Sequence, residues 1–278
     1  MLHKHNIFNG IWMIEDSYAA NYLPYLFAYL NGQQPKSTVD RITPLSTQTR
    51  SSSSLDSGPG DNSDEQQQIA VISISGPITK HSQVCGPAGM MEVSQILEAC
   101  YASEDIAGII LHVESGGGDG MAMRLINETI AKKNKKMIGF IDDFCCSAAY
   151  GIVSGCDVIV ANSEMARVGS IGTYLSIADY TKQLEKEGID IKTIYATASK
   201  DKNGEVREAL KGNMKPLEEL ANQYNEHFLT TIENNRADKL TETRDAWGTG
   251  KVYFAEEAIK LGLIDQIDTF TNTLNYFT

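Results

Sequence analysis

Two segments carry residue types that could perform acyl transfer. The first is Val113-Glu114-Ser115-Gly116-Gly117-Gly118-Asp119-Gly120, between an apolar run and a helical pattern. Glycines there let backbone N–H groups approach a ligand closely, and the following helix N-terminus adds partial positive charge, so the loop suits an oxyanion or a phosphate. Its spacing is not G-x-G-x-x-G, and no Lys-Ser/Thr pair follows as in a P-loop. A plain structural turn is the alternative. The second segment is Phe144-Cys145-Cys146-Ser147-Ala148-Ala149-Tyr150-Gly151. A serine at a strand-to-helix junction exposes its hydroxyl and has the next backbone N–H beside it, where a tetrahedral oxyanion would form. Ser147 could instead be only a helix N-cap.

A serine nucleophile needs a base. The histidines are His3, His5, His81, His112 and His227. His112 lies inside an apolar strand pattern and reads as a packed, hydrogen-bonded residue; the others fall in loop, terminal or surface-helix positions. Lysine serves as a base only when burial lowers its pKa. Lys200 follows the strand-like stretch 191–199, which could carry it into an interior. Lys202 and Lys192 read as ordinary solvated charges, with Lys202 the fallback base.

The elements that must position these residues alternate. Strand patterns over 69–74, 106–113, 137–141 and 157–161 are separated by helical patterns over 90–102, 121–132 and a short stretch from Ser147, with a long polar helix over 216–236. Such alternation predicts crossovers and a mainly parallel sheet, and unbroken apolar strands predict faces buried on both sides. The chain divides into four zones: an aromatic N-terminal arm at 1–33, helical from Tyr18 to Leu30; a polar, Ser- and Gly-containing linker at 34–68 expected to be disordered; the folded domain at 69–270; and a tail at 271–278.

Composition narrows the function. The formal net charge of -12 argues against nucleic acid or an anionic membrane as partner. Cys85, Cys100, Cys145, Cys146 and Cys156 form no C-x-x-C pair, which disfavours a disulfide framework or a zinc site. Glu15 and Asp16 interrupt the apolar N-terminal stretch, and no long apolar run comes after it. A soluble protein without signal peptide or membrane span, in the cytoplasm, is the expectation. No cofactor or metal motif is visible.

Five ordered blocks resemble the signal peptide peptidase A (protease IV) family of Ser/Lys peptidases: Ile110 to Gly118, Asp143 to Tyr150, Ala166-Arg167-Val168-Gly169-Ser170-Ile171-Gly172, Lys200 with its preceding stretch, and Gly250 to Asp265. The resemblance implies a ClpP/crotonase-like α/β spiral of βα units. It implies Ser147 as nucleophile, Lys200 as general base and Ser170 as the serine that orients the lysine. Gly117, Gly118 and the N–H of Ala148 would form the oxyanion hole. Protein or peptide substrates, a homo-oligomer and no cofactor are implied as well. This chain has Gly116 where the family usually has proline, and Cys145 and Cys146 where small residues usually precede the nucleophile. The arm and linker resemble phage head-maturation (prohead) proteases, which act on capsid and scaffold proteins in the host cytoplasm or the assembling head and often on themselves. Other readings are a bacterial peptidase of protein or signal-peptide turnover, a catalytically silent ClpP-fold assembly protein, and a crotonase-type acyl-CoA enzyme.

Overall fold

The structure is a computed structural model that describes residues 10–14, 46–49, 68–82 and 87–277. Its strands are β1 (Gly10–Ile14), β2 (Ser46–Thr49), β3 (Gln68–Ser75), β4 (Ile106–Ser115), β5 (Gly117–Asp119), β6 (Lys136–Cys146), β7 (Val158–Ala161), β8 (Arg167–Gly169), β9 (Tyr174–Ser176), β10 (Val252–Phe254) and β11 (Gln266–Ile267). Its helices are α1 (Met90–Ala102), α2 (Gly120–Ile130), α3 (Ala148–Val153), α4 (Thr181–Lys186), α5 (Gly204–Leu210), α6 (Lys215–Arg236), α7 (Arg244–Trp247), α8 (Ala255–Lys260) and α9 (Phe270–Thr273).

The main sheet runs β10-β8-β6-β4-β3-β2, with β7 and β11 attached beside β6. The pairs β3–β4, β4–β6, β6–β7 and β6–β8 are all parallel. The expected α/β class with a mainly parallel sheet is what forms. The apolar runs explain why. On β4, Ile109, Leu111 and Val113 join the larger core beneath α1, α2, α3 and α6, while Ile110 joins a second core with Ile138, Phe140 and Val160, covered by Phe270, Leu274 and Phe277. A strand with both faces covered needs apolar residues at every position, not at alternate ones.

Sequence and structure differ at the second strand. Ser46–Thr49 falls in the stretch expected to be disordered, yet it forms β2, antiparallel to β3. Edge pairing uses main-chain groups, so polar composition does not forbid it. The helix expected from Tyr18 to Leu30 lies outside the described residues.

The 22-residue helix α6 is locked to the sheet by Arg236. That guanidinium is 1% exposed and donates to both Asp265 oxygens (3.0 and 3.1 Å) and twice to the Gly262 carbonyl (3.1 and 2.7 Å). Asp265 also accepts from the Ile159 N–H of β7 at 2.7 Å and pairs with Lys239 at 2.8 Å. Burial pushes the Asp265 carboxyl upward, but the hydrogen bonds from Arg236 and Lys239 outweigh it and hold the group below its ordinary value. A carboxylate depressed in the folded state contributes stability that is fully present above its unfolded pKa of about 3.9 and is lost as pH falls through the folded value. Urea midpoints measured from neutral pH down to about pH 3 should therefore drop more steeply in wild type than in Asp265→Asn; equal slopes would deny Asp265 that role.

Candidate active site

The parallel pairing brings three strand ends together. β8, β6 and β4 lie side by side, and their carboxyl ends lead into Ser170, Ser147 and the glycine strand β5. In open parallel sheets this edge is where ligands bind. β6 reaches it through an irregularity: Val113 pairs with Ile141, but Ser115 pairs with Cys145. The extra residues on β6 bulge out, which turns the strand end and re-aims Ser147 just beyond it.

Ser147 stands between β6 and α3 with φ 55° and ψ -124°. A non-glycine residue at positive φ costs on the order of 1–3 kcal/mol and persists only where its surroundings enforce it. The enforcement is visible. The Ser147 N–H donates to the Gly169 carbonyl at 2.7 Å, and its carbonyl accepts from Gly151 at 2.9 Å. α3 is wedged tightly, since a Cβ on Gly151 would lie 2.1 Å from Met123 Sδ and 3.0 Å from Phe228 Cε2. Tyr150 anchors it further by donating to the Leu263 carbonyl at 2.8 Å. The side chain makes no capping hydrogen bond, so the N-cap alternative does not describe Ser147. It resembles a strained strand-to-helix nucleophile turn.

Ala148 is the first residue of α3, where an N–H has no intrahelical acceptor. Its N–H has no backbone acceptor among the described residues. On the other flank, Gly117 and Gly118 have φ 104° and 155°. The Gly117 N–H donates to Ser115 Oγ (3.1 Å), whose hydroxyl donates to the Gly76 carbonyl (2.6 Å). Ser115 thus already takes the amide of Gly117, one of the two glycines expected at the oxyanion hole. Ser115 stands next to the glycines in the chain, and that adjacency is the one signal of its role that the sequence offers. The Gly117 carbonyl and Asp119 N–H both bond Ile78, at 2.8 and 2.9 Å. By alternation, the Gly118 N–H and carbonyl point the opposite way.

Ser170 sits at φ 51°, half-buried, its N–H donating to the Lys251 carbonyl at 2.8 Å. Among the described residues neither the Ser147 nor the Ser170 hydroxyl takes a hydrogen-bond partner. This contact places the backbone of Lys251 beside Ser170. The hydrogen bond that its ammonium donates to Glu257 raises its pKa, with the Glu257 charge adding to that, and a lysine held charged is no base.

Among the described residues Lys200 makes no hydrogen bond to Ser147. The stretch 191–199, expected to be a strand, is irregular and ends in the single 3-10 turn Thr197–Ser199. Lys200 is exposed, and its carbonyl accepts from Arg207 of α5. Lys202 and Lys192 are exposed too, with Lys192 paired to Asp190 at 3.3 Å. The apolar pattern, which suggests a path to the interior, instead leaves Ile191 67% and Ile194 92% exposed.

His112 faces away from Ser147. Its neighbours Leu111 and Val113 point into the core that holds α3, so its own side chain lies on the other face. There it stacks on Phe140 at 5.6 Å and meets Phe270 edge-on at 5.8 Å, with Asp142 3.8 Å from Nε2. Burial lowers its pKa, against the pull of Asp142. The thiols beside the serine are fully buried, and burial raises the Cys145 pKa well above its usual value. Such a thiol is inert packing. Among the described residues no helix is long and apolar enough to cross a membrane, and no group of three or more metal-ligating side chains occurs.

Comparison with known proteins adds identity to this geometry. Protease 4 of Haemophilus influenzae is 26% identical over 75% of this chain and 34% of its own length. Capsid assembly protease C of Escherichia phage lambda is 26% identical over 74% of this chain and 48% of its own. The chain thus spans half or less of the length of these two relatives. Among solved structures, an enoyl-CoA hydratase/isomerase family member superposes with a TM-score of 0.44 at 16% identity, over 84% of this chain and 72% of that one. The pattern of peptidase family S49 matches residues 129–277, which include Ser147, Ser170, Lys200 and the 250–265 block and amount to more than half of the 278-residue chain. The chain therefore belongs to peptidase family S49.

Proposed function

We propose that the protein is a serine endopeptidase in which Ser147 attacks the scissile carbonyl and a lysine takes its proton. The observation that carries this reading is the enforced positive φ of Ser147 at a strand end, between the glycine strand and Ser170. In the reaction, the Ser147 Oγ–C bond forms as the proton passes to the neutral lysine. The Gly118 and Ala148 N–H groups receive the developing oxyanion. The lysine then protonates the leaving amine, and water releases the acyl group.

Lys200 is the lysine proposed, with Ser170 orienting it, and assembly is the proposed route by which it reaches a serine. A lysine is a base only where it is desolvated, and Lys200 is exposed in the single chain. The segment leading to it carries Ile189, Ile191 and Ile194, which are 47%, 67% and 92% exposed. A second copy of the chain is the proposed cover, burying the isoleucines and placing Lys200 beside the neighbour's Ser147. Ser147→Ala and Lys200→Ala should each be inactive on an unstructured protein substrate. Mixed in equal amounts under subunit exchange, they should regain about a quarter of wild-type activity, because random pairing joins an intact serine to an intact lysine that often. No regain would place the base in the same chain, and an active Lys200→Ala would move the role to Lys202.

As to biological role, the likeness to Protease 4 supports protein turnover, and the likeness to a signal peptide peptidase of Enterococcus faecium, 28% identical over 62% of this chain, supports signal-peptide turnover. A second reading, head maturation with capsid and scaffold proteins as substrates, is supported by the likeness to Capsid assembly protease C and to the head-tail preconnector protein of phage P21, the latter 25% identical over 72% of this chain. A protein that cuts unstructured substrates broadly fits the first reading. One that cuts only assembled capsid precursors fits the second.

A further inference from the structure

Beside the main sheet lies a second one, ordered β5-β1-β9. Its two outer strands are three residues each, and among the described residues β1 alone joins them. β1 runs antiparallel to both. Trp12, Met13 and Ile14 pair with Asp119, Gly118 and Gly117, and Gly10, Ile11 and Trp12 pair with Ser176, Leu175 and Tyr174. The stagger gives the amino half of β1 to β9 and its carboxyl half to the glycine strand. Take β1 away, and β5 and β9 face each other across a gap one strand wide, about 10 Å between their axes.

The register also fixes which groups line that gap. The Gly118 N–H and carbonyl point away from Ile78, hence towards Met13, its direct partner. The neighbouring residues of β1 point the other way. Trp12 and Gly10 therefore face Tyr174 and Ser176. The amide of Gly118 is the glycine-loop donor proposed for the oxyanion, and a main-chain carbonyl of this protein's own chain faces it. Pairing of this kind reads backbone rather than side chains, as in strand addition by peptides.

We propose that the gap between β5 and β9 is the groove that takes an extended peptide as a strand, and that Gly10–Ile14 is its resident occupant, which a substrate must displace. This rests on the peptidase reading given above. The partner it fits is a stretch of at least five extended residues with its carboxyl half along the glycine strand. Because the occupant is tethered, it competes at a high effective concentration and raises the apparent KM without touching the chemical step.

The test uses the full-length chain with Met13→Pro, which removes the N–H facing Gly118, and separately Trp12→Pro, which removes the one facing Tyr174. Amide exchange at Gly118, Tyr174 and Ser176 should quicken in both variants, and KM for oxidised insulin B chain should fall about tenfold at constant kcat. A synthetic peptide spanning residues 8–16 should bind the variants and not the wild type. Unchanged exchange overturns the occupancy, whatever the kinetics. Quickened exchange with unchanged KM and no peptide binding overturns the groove. If the insulin chain is cut by no form, the peptidase reading fails, and exchange with peptide binding still decides the groove.

Discussion

Ser147→Ala is expected to lower kcat by roughly 10⁴-fold or more, a loss of about 5.5 kcal/mol of transition-state stabilisation. The fold should survive intact. The hydroxyl makes no capping bond, so its removal takes nothing from α3, and the urea midpoint should stay where it is. Ser147→Gly separates the roles further. Glycine adopts positive φ without the steric penalty, so this variant should be as inactive as the alanine one yet about 1 kcal/mol more stable. Strain kept at a residue that folding does not need is the mark of a position held for chemistry. A Ser147→Ala protein that still cuts, or one that merely unfolds, would remove this argument.

Arg236→Ala should cost roughly 3–5 kcal/mol, the usual loss when one partner of a buried ion pair is taken away. The arginine is fully enclosed and gives four hydrogen bonds, two to Asp265 and two to the Gly262 carbonyl. Removing it takes two donors from the Asp265 carboxylate, which keeps Lys239 and the Ile159 N–H, takes two from the Gly262 carbonyl, and frees the end of α6. The effect should reach the site. α6 packs through Phe228 against Gly151 of α3, directly behind Ser147. Thermal unfolding read against wild type checks the stability loss. Arg236→Lys should recover only part of it, since an ammonium cannot make the paired contacts of a guanidinium.

Much of this was legible in the residues, for physical reasons that also explain what was not. β3, β4, β6, α1 and α6 announce themselves because a strand or helix buried in a two-sided α/β core must show apolar runs or a helical period. The serine and the glycine strand were visible because a sheet's carboxyl edge places loops of small residues next to helix starts. The positive φ of Ser147 left no compositional trace. The Arg236–Asp265 lock joins residues 29 positions apart, a contact that only the folded chain discloses. β1 and β2 pair through main-chain groups, so their residue types carry no signal. The stretch before Lys200 misled in an instructive way. Ile191 and Ile194 ask for cover, but a pattern of apolar residues does not say which surface provides it, and in the single chain none does.

The central claim is that Ser147 is the nucleophile. Its most direct test is to treat the full-length protein with a fluorophosphonate and to locate the adduct by peptide mass mapping. A single adduct on Ser147, absent from Ser147→Ala and slowed in Lys200→Ala, is the result predicted. An adduct on another serine, or none on a preparation that cleaves protein, would contradict the account.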